Sequence, residues 1–202
     1  PSAGPDFVPK TREKGRGLGV GKSATVMGRY YAMDRDKRWD RLENAYDALV
    51  YGEGVQDSDP IHAIEESYKN GVTDEFVEPI VCDKDGMISD NDSVIFFNSR
   101  PDRAREITRA FIEPDFADFA RQGGYKPVTY VGMTRYDETF QHIETAFKPE
   151  THQNTLGEYL AANGKTQLRI AAPGKYAHGT FFFNGGVAAT NAGGHRGPTP
   201  TP

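Results

Sequence analysis

Short apolar runs of strand length alternate along this chain with stretches whose apolar residues recur every three or four positions. The runs at 93–97 and 128–133 are almost wholly apolar, as expected for strands that are buried on both faces. Between them and before them lie helical patterns, as in the stripe formed by Trp39, Leu42, Tyr46 and Leu49. This alternation predicts an α/β fold, with a sheet of mostly parallel or mixed strands flanked by helices.

Capping and stop signals set the boundaries of the predicted elements. Asp59 before Pro60 predicts the start of a helix, and the spacing of Thr155 and Glu158 is that of a capping box. Further strands are predicted at 23–27, 76–81 and 168–171, and further helices from 37 to 52 and from Pro101. We expect residues 1–22 to be poorly ordered, 175–183 to be a short helix or a loop, and the tail 187–202 to be disordered.

Composition narrows the classes of function. The formal net charge of −5 argues against non-specific nucleic-acid binding, which needs a broad basic surface. No apolar run approaches the ~18 residues of a membrane helix. Cys82 is the only cysteine, so an internal disulfide is impossible and a reducing cytoplasm is expected. The chain starts without a Met or a secretory signal, which suggests a processed product or a fragment.

Several segments resemble known binding motifs but lack the residues or the spacing that those motifs require. The segment 15–23 ends in Gly-Lys-Ser like a P-loop, but Arg16 stands where a P-loop requires glycine, and the segment precedes a strand. The acidic segment 83–92 lacks the order of ligands of a calcium loop, and a solvated turn is the better interpretation. The histidines show no metal-binding spacing, so structural or surface roles are expected for His62, His142, His152, His178 and His195.

Two pairs of arginines follow predicted strands and carry more information. Arg100 and Arg103 fall in the first turn of a predicted helix, where the helix dipole disfavours cations. Arg29 and Arg35 form a second pair after the strand at 23–27. Two interpretations stay open: the arginines pair with nearby carboxylates, or they converge with free backbone N–H groups on a small anion.

Six blocks of sequence, in order, resemble the cofactor-independent (2,3-bisphosphoglycerate-independent) phosphoglycerate mutases. The resemblance runs from about Gly19 to Gly186. The blocks are GRYYAMDRD at 28–36 with Arg38 and Trp39, NSRPDRA at 98–104, NTLGE at 154–158, QLRIA at 167–171, KYAH at 175–178, and TFFFNGG at 180–186.

The resemblance implies an isomerase that interconverts 3- and 2-phosphoglycerate through a phosphoserine, with two manganese or magnesium ions. Residues 1–148 would be the later part of a transferase domain, with 1–22 poorly matched, and 149–202 the start of a returning phosphatase domain. Lys175 would be the catalytic residue that reaches the phosphoryl group. The implied substrate-binding residues are Arg29, Arg35, Arg100 and Arg103. The implied parent is a cytoplasmic monomer with no nucleic-acid or membrane partner.

The family's serine nucleophile and its metal ligands lie outside this stretch, so the chain alone is expected to be inactive and to bind no metal. Ser23, Ser99 and Gly179 stand where the family has Ile, an aromatic residue and Val. If those sites were buried, each replacement would cost ~1–5 kcal/mol. Two other functions are alternatives: a non-catalytic anion-binding module, and a P-loop nucleotidase, which the glycine register disfavours.

Overall fold

The computed structural model describes residues 2–148, 150, 152–172 and 175–198. They form two compact units, Pro1–Lys148 and Pro149–Pro202. Helices flank small sheets with parallel pairing, which confirms the α/β class. None of the helices in the described part of the chain is both long enough and apolar enough to cross a membrane.

The first unit contains five helices and six strands among its described residues. The helices are α1 (Gly4–Leu18), α2 (Arg29–Ala32), α3 (Trp39–Val50), α4 (Pro60–Lys69) and α5 (Arg105–Ile112). The strands are β1 (Thr25–Val26), β2 (Val55–Gln56), β3 (Ile80–Val81), β4 (Ser93–Phe96), β5 (Thr129–Gly132) and β6 (Ile143–Thr145). One sheet has the order β1-β3-β2, with β1 antiparallel to β3. The other has the order β4-β5-β6 and is wholly parallel.

The main core of this unit lies between α3, α5 and the parallel sheet. Leu42 and Tyr46 of α3 are fully buried, and Tyr46 packs against Phe111 of α5 at 4.9 Å between ring centroids. The apolar spacing that predicts α3 therefore marks the face that the helix buries. This packing fixes α5 and the turn before it, which carries Arg100 and Arg103.

The second unit contains α6 (Leu156–Ala162), α7 (Tyr176–Thr180), β7 (Gln167–Ala171) and β8 (Gly194–Pro198). The capping box of α6 is confirmed: Glu158 Oε2 accepts the Thr155 N–H at 2.7 Å, and Thr155 Oγ1 accepts the Glu158 N–H. The segment left open as a helix or a loop forms α7 and the 3-10 turn Phe182–Asn184.

Residues 4–18 are helical, so the expectation of poor order for 1–22 is wrong there. No residue of α1 is buried, and the helix lies against α4. The Asp74 carboxylate accepts the N–H groups of Ala3 and Gly4 at 2.8 and 3.1 Å, and Gly19 ends the helix in a left-handed conformation. The contacts with Asp74 come from a residue about seventy positions away, so the local composition gives no sign of them.

Four strands differ from the pattern-based assignment. The segment 76–81 is a strand only at Ile80–Val81, after the 3-10 turn Asp74–Phe76 and the imino residue Pro79. β2 and β6 were not predicted; they are two and three residues long, too short to show a period. A strand, β8, stands where a disordered tail was expected, because it pairs in parallel with β7 from Gln167↔Gly194 to Ala171↔Pro198. The last four residues of that tail lie outside the described residues.

Candidate anion-binding site

A close backbone contact places Arg29 at the start of α2. Gly28 is buried, and a Cβ atom there would lie 2.2 Å from the carbonyl oxygen of Glu75. Its N–H donates to the Val77 carbonyl at 2.8 Å. Only a glycine permits this approach, which brings the Arg29 guanidinium to the Glu75 carboxylate at 3.0 Å.

Asp102 joins two of the predicted site residues. Its carboxylate accepts two hydrogen bonds from Arg100, at 2.6 and 2.9 Å, and one from Arg35 at 3.0 Å. The hydrogen bond from Arg100, with a further one from Arg35, outweighs partial burial and lowers the pKa of Asp102 to about 2. Two guanidinium groups from distant segments therefore converge on one carboxylate.

Arg103 contacts Met33, which lies two residues before Arg35. We call these four residues, Arg29, Arg35, Arg100 and Arg103, the arginine cluster. The Arg103 guanidinium donates to the Met33 carbonyl at 2.8 Å. The pKa of Glu75 is lowered, first by the hydrogen bond from Arg29 and also by the positive charge of Arg103. Glu75 thus links Arg29 and Arg103 electrostatically, as Asp102 links the other pair directly.

The cluster combines features of both interpretations that the sequence left open. Its four positive charges face two carboxylates, so an excess of positive charge remains. The side chains of Arg29, Arg35 and Arg100 are 54%, 41% and 56% exposed, and ion pairs in such positions contribute only ~0–1 kcal/mol each. An anion with more than one negative charge can therefore compete with the internal carboxylates for these donors.

Lys175 belongs to the second unit. It is exposed, stands at the N-terminal boundary of α7, and donates its backbone N–H to the Ala172 carbonyl at 2.8 Å. No hydrogen bond or ion pair of its side chain is among those found in the described residues. Its proposed catalytic role rests on the resemblance alone.

The three departures from the family pattern do not lie in the core. Ser99 is exposed, Ser23 is partly exposed, and a Cβ atom on Gly179 would meet no atom within 4 Å. The cost estimated for buried replacements therefore does not apply.

The P-loop-like segment begins as the last turn of α1, and Lys22 pairs with Asp83 at 2.9 Å. The segment leads from a helix into a strand, the reverse of the order in a phosphate-binding loop.

Four acidic residues were missed by the sequence analysis: Glu75, Asp102, Asp34 and Glu106. Asp102 holds two arginines, although nothing in its position within the block NSRPDRA distinguishes it from a surface acid. Asp34 and Glu106 are 3% and 7% exposed although both are acids. Glu106 lies next to Ile107 on the buried face of α5, and no local pattern distinguishes it from a solvent-facing residue.

A metal centre does not fit the part of the chain that the structure describes. Its residues contain no group of three or more His, Cys, Asp and Glu side chains that could hold an ion.

The fold and the cluster define an α/β protein with a group of four arginines near the surface, and comparisons with known proteins narrow this class. Residues 1–138 match the family model described as "BPG-independent PGAM N-terminus". The match includes residues 1–22. The chain belongs to the family of 2,3-bisphosphoglycerate-independent phosphoglycerate mutases.

Individual relatives agree with this family. The chain is similar to the 2,3-bisphosphoglycerate-independent phosphoglycerate mutases of Acetivibrio thermocellus, 55% identical over 96% of the chain and 39% of that protein, and of Clostridium perfringens, 53% identical over 95% and 38%. A phosphoglycerate mutase from Leishmania mexicana, crystallised at low cobalt concentration, superposes with a TM-score of 0.73 at 28% identity. That superposition covers 96% of this chain and 38% of the other. The chain thus spans about two fifths of the length of these relatives.

Proposed function

We propose that this chain supplies the substrate-binding arginines of a phosphoglycerate mutase that interconverts 3- and 2-phosphoglycerate. The observation that carries the proposal is the convergence of Arg35 and Arg100 on Asp102. Their donors already form a site for a carboxylate, and phosphoglycerate carries both a carboxylate and a phosphate. Bidentate guanidinium groups suit both anions and hold them while charge is redistributed.

The reaction itself needs groups that we assign to other parts of the intact protein. Those groups are the serine nucleophile and the ligands of two manganese or magnesium ions. In this chain, Lys175 is proposed to contact the transferring phosphoryl group, and the arginine cluster to keep the glycerate oriented. The intact protein is proposed to be a cytoplasmic monomer, in keeping with the single cysteine, Cys82. The chain alone is proposed to bind the substrate weakly and not to turn it over.

Calorimetry with 3-phosphoglycerate tests the binding proposal. Arg100→Lys keeps the charge but loses the two-bond contact, and loss of a charged hydrogen bond of ~1.5–3 kcal/mol weakens binding roughly 10- to 100-fold. Arg12→Lys is the matched control, since Arg12 forms an exposed ion pair with Asp59 and belongs to no part of the cluster. Affinity should fall as salt is raised.

Two results would contradict the proposal. One is wild-type binding that Arg100→Lys and Arg12→Lys change equally; the other is no detectable binding at low salt. Equal affinity for sulfate and for 3-phosphoglycerate would instead favour the non-catalytic anion-binding module, because such a module has no use for the glycerate portion.

A further inference from the structure

We propose that Glu106 is a positioning residue: its buried carboxyl group shares a proton with Asp34 and so holds the loop 34–38 that presents Arg35. The inference rests on the proposed function only in the role given to Arg35. The shared proton and the state of the loop can be measured without any ligand.

The two carboxyl groups are unequal in their hydrogen bonds. Asp34 Oδ2 accepts the N–H groups of Asp36 and Arg38, both at 2.9 Å. Among the described residues, Glu106 Oε1 accepts only the Lys37 N–H at 2.9 Å, and its Oε2 is buried without a hydrogen-bond partner. Because Asp34 has the donors that stabilise an anion, it takes the negative charge. A proton on Glu106 then gives Oε2 a hydrogen bond to Asp34.

Electrostatics agree with this assignment. Asp34 and Glu106 both accept N–H groups from the three consecutive residues 36–38, so their carboxyl groups lie close together. Two buried like charges so close cannot both be ionised cheaply. Burial, followed by the neighbouring charge of Asp34, raises the pKa of Glu106. Burial also acts to raise the pKa of Asp34, but the N–H groups of Arg38 and Asp36 outweigh it and lower that pKa.

The charged groups that face the pair come from two elements. Arg38 of the loop lies 3.5 Å from Asp34 Oδ1, and Arg41 of α3 lies 4.0 Å from it. The negative charge of Asp36 acts on Glu106 and favours its neutral form. Both cations are on the Asp34 side of the pair, which favours an ionised Asp34 beside a protonated Glu106.

The loop needs such an anchor because its backbone is strained. Lys37 has a φ of 58°, a left-handed conformation that is costly for a residue with a long side chain. Its N–H is the group that Glu106 accepts, while Asp34 binds the two flanking N–H groups. Arg35 lies inside this loop, and its guanidinium reaches Asp102 at 3.0 Å. If the pair opens, the loop can relax and Arg35 moves away from Arg100.

The direct experiment is a carboxyl NMR titration of the wild-type chain with labelled Glu and Asp. We expect the Glu106 carboxyl to titrate above the exposed glutamates and Asp34 to stay ionised in that range. Titration of Glu106 together with the exposed glutamates would overturn the proposal. This measurement needs neither a variant nor a ligand.

Two variants then test positioning. Glu106→Gln keeps a donor for Asp34, while Glu106→Met fills the space without one. Glu113→Gln, which breaks an exposed ion pair with Arg109 near the end of α5, is the matched control. We expect faster amide exchange at Lys37 and Arg38 in Glu106→Met only. Binding of 3-phosphoglycerate should weaken about tenfold or more in that variant, since small displacements of a positioning group are costly.

The pH profile separates positioning from simple packing. Wild-type affinity, relative to that of Glu106→Gln, should fall as the pH rises through the pKa of Glu106, because the glutamine cannot ionise. A constant ratio, or equal losses in Glu106→Gln and Glu106→Met, would refute the role. If the wild-type chain binds no phosphoglycerate, the proposed function fails, while the titration and the amide exchange still decide the proposal for Glu106.

Discussion

Asp47 lies in the last turn of α3, and its Oδ1 atom is buried without a hydrogen-bond partner in the part of the chain that the structure describes. A negative charge is unfavourable at this end of a helix. Burial, followed by the charges of Glu53 and Glu43, raises the pKa of Asp47 to about 6. Asp47→Asn removes the charge and keeps the shape of the side chain. We expect the variant to be more stable than the wild type at pH 7.5.

The size of the gain follows from linkage. The pKa of Asp47 is 3.8 when unperturbed and about 6 in the fold. Such a shift corresponds to at most about 3 kcal/mol at pH values above both, and partial solvation reduces it to ~1–3 kcal/mol. Because folding raises the pKa of Asp47, the wild type avoids this cost below pH ~4, where Asp47 is protonated. The free energy of unfolding then falls as the pH rises to ~6. The advantage of Asp47→Asn should grow over that same window.

Urea unfolding followed by the fluorescence of Trp39 measures this, since the only tryptophan packs on Phe116 in the first unit. Midpoints would be compared at pH 4, 5, 6 and 7.5. Asp40→Asn is the control, and it should lower the free energy of unfolding instead of raising it. Asp40 lies in the first turn of α3, where its charge is favourable by ~0.3–1 kcal/mol. A gain for Asp47→Asn that is the same at pH 4 and pH 7.5, or no gain at all, would refute the reasoning.

Three further substitutions probe packing, backbone and capping. Leu42→Ala should destabilise the first unit by ~2–5 kcal/mol, seen as a lower urea midpoint, because the side chain is fully buried. Gly28→Ala should cost ~1–3 kcal/mol or more and weaken sulfate binding, since its Cβ would meet the Glu75 carbonyl oxygen; unchanged sulfate affinity would contradict the contact. Thr155→Ala should cost ~0.5–2 kcal/mol in the second unit and speed amide exchange in α6 alone.

The elements that could be predicted from the sequence are those whose signals are local. Asp59 caps α4 by accepting the Ile61 N–H at 3.0 Å, as its position before Pro60 predicts. The capping box at Thr155 holds for the same reason. In contrast, α1 depends on Asp74, some seventy residues away, and β8 exists through pairing with β7. Sequence patterns within a short window contain no information about such partners.

The candidate site likewise contains residues that the sequence locates and residues that it does not. The resemblance located the arginines of the cluster, and the prediction that they bind substrate stays a prediction. Two of the acids at the site could not be foreseen, because the contact of Glu75 with Arg29 and that of Glu106 with the Lys37 N–H join segments that are 46 and 69 residues apart. The state of protonation of Glu106 depends on burial, which no single position reveals.

The hydrogen bonds between Arg100 and Asp102 have a consequence for which anions the cluster can bind. Asp102 is two residues from Arg100 and also bound by Arg35, so it acts as an internal competitor whose effective concentration is high. A free anion must outcompete it for the same donors. Monovalent ions such as chloride or acetate gain little over the tethered carboxylate, while an anion with several charges gains more from the excess of positive charge. The cluster would thus select anions by their charge, and Asp102 would set the charge that an anion needs in order to bind.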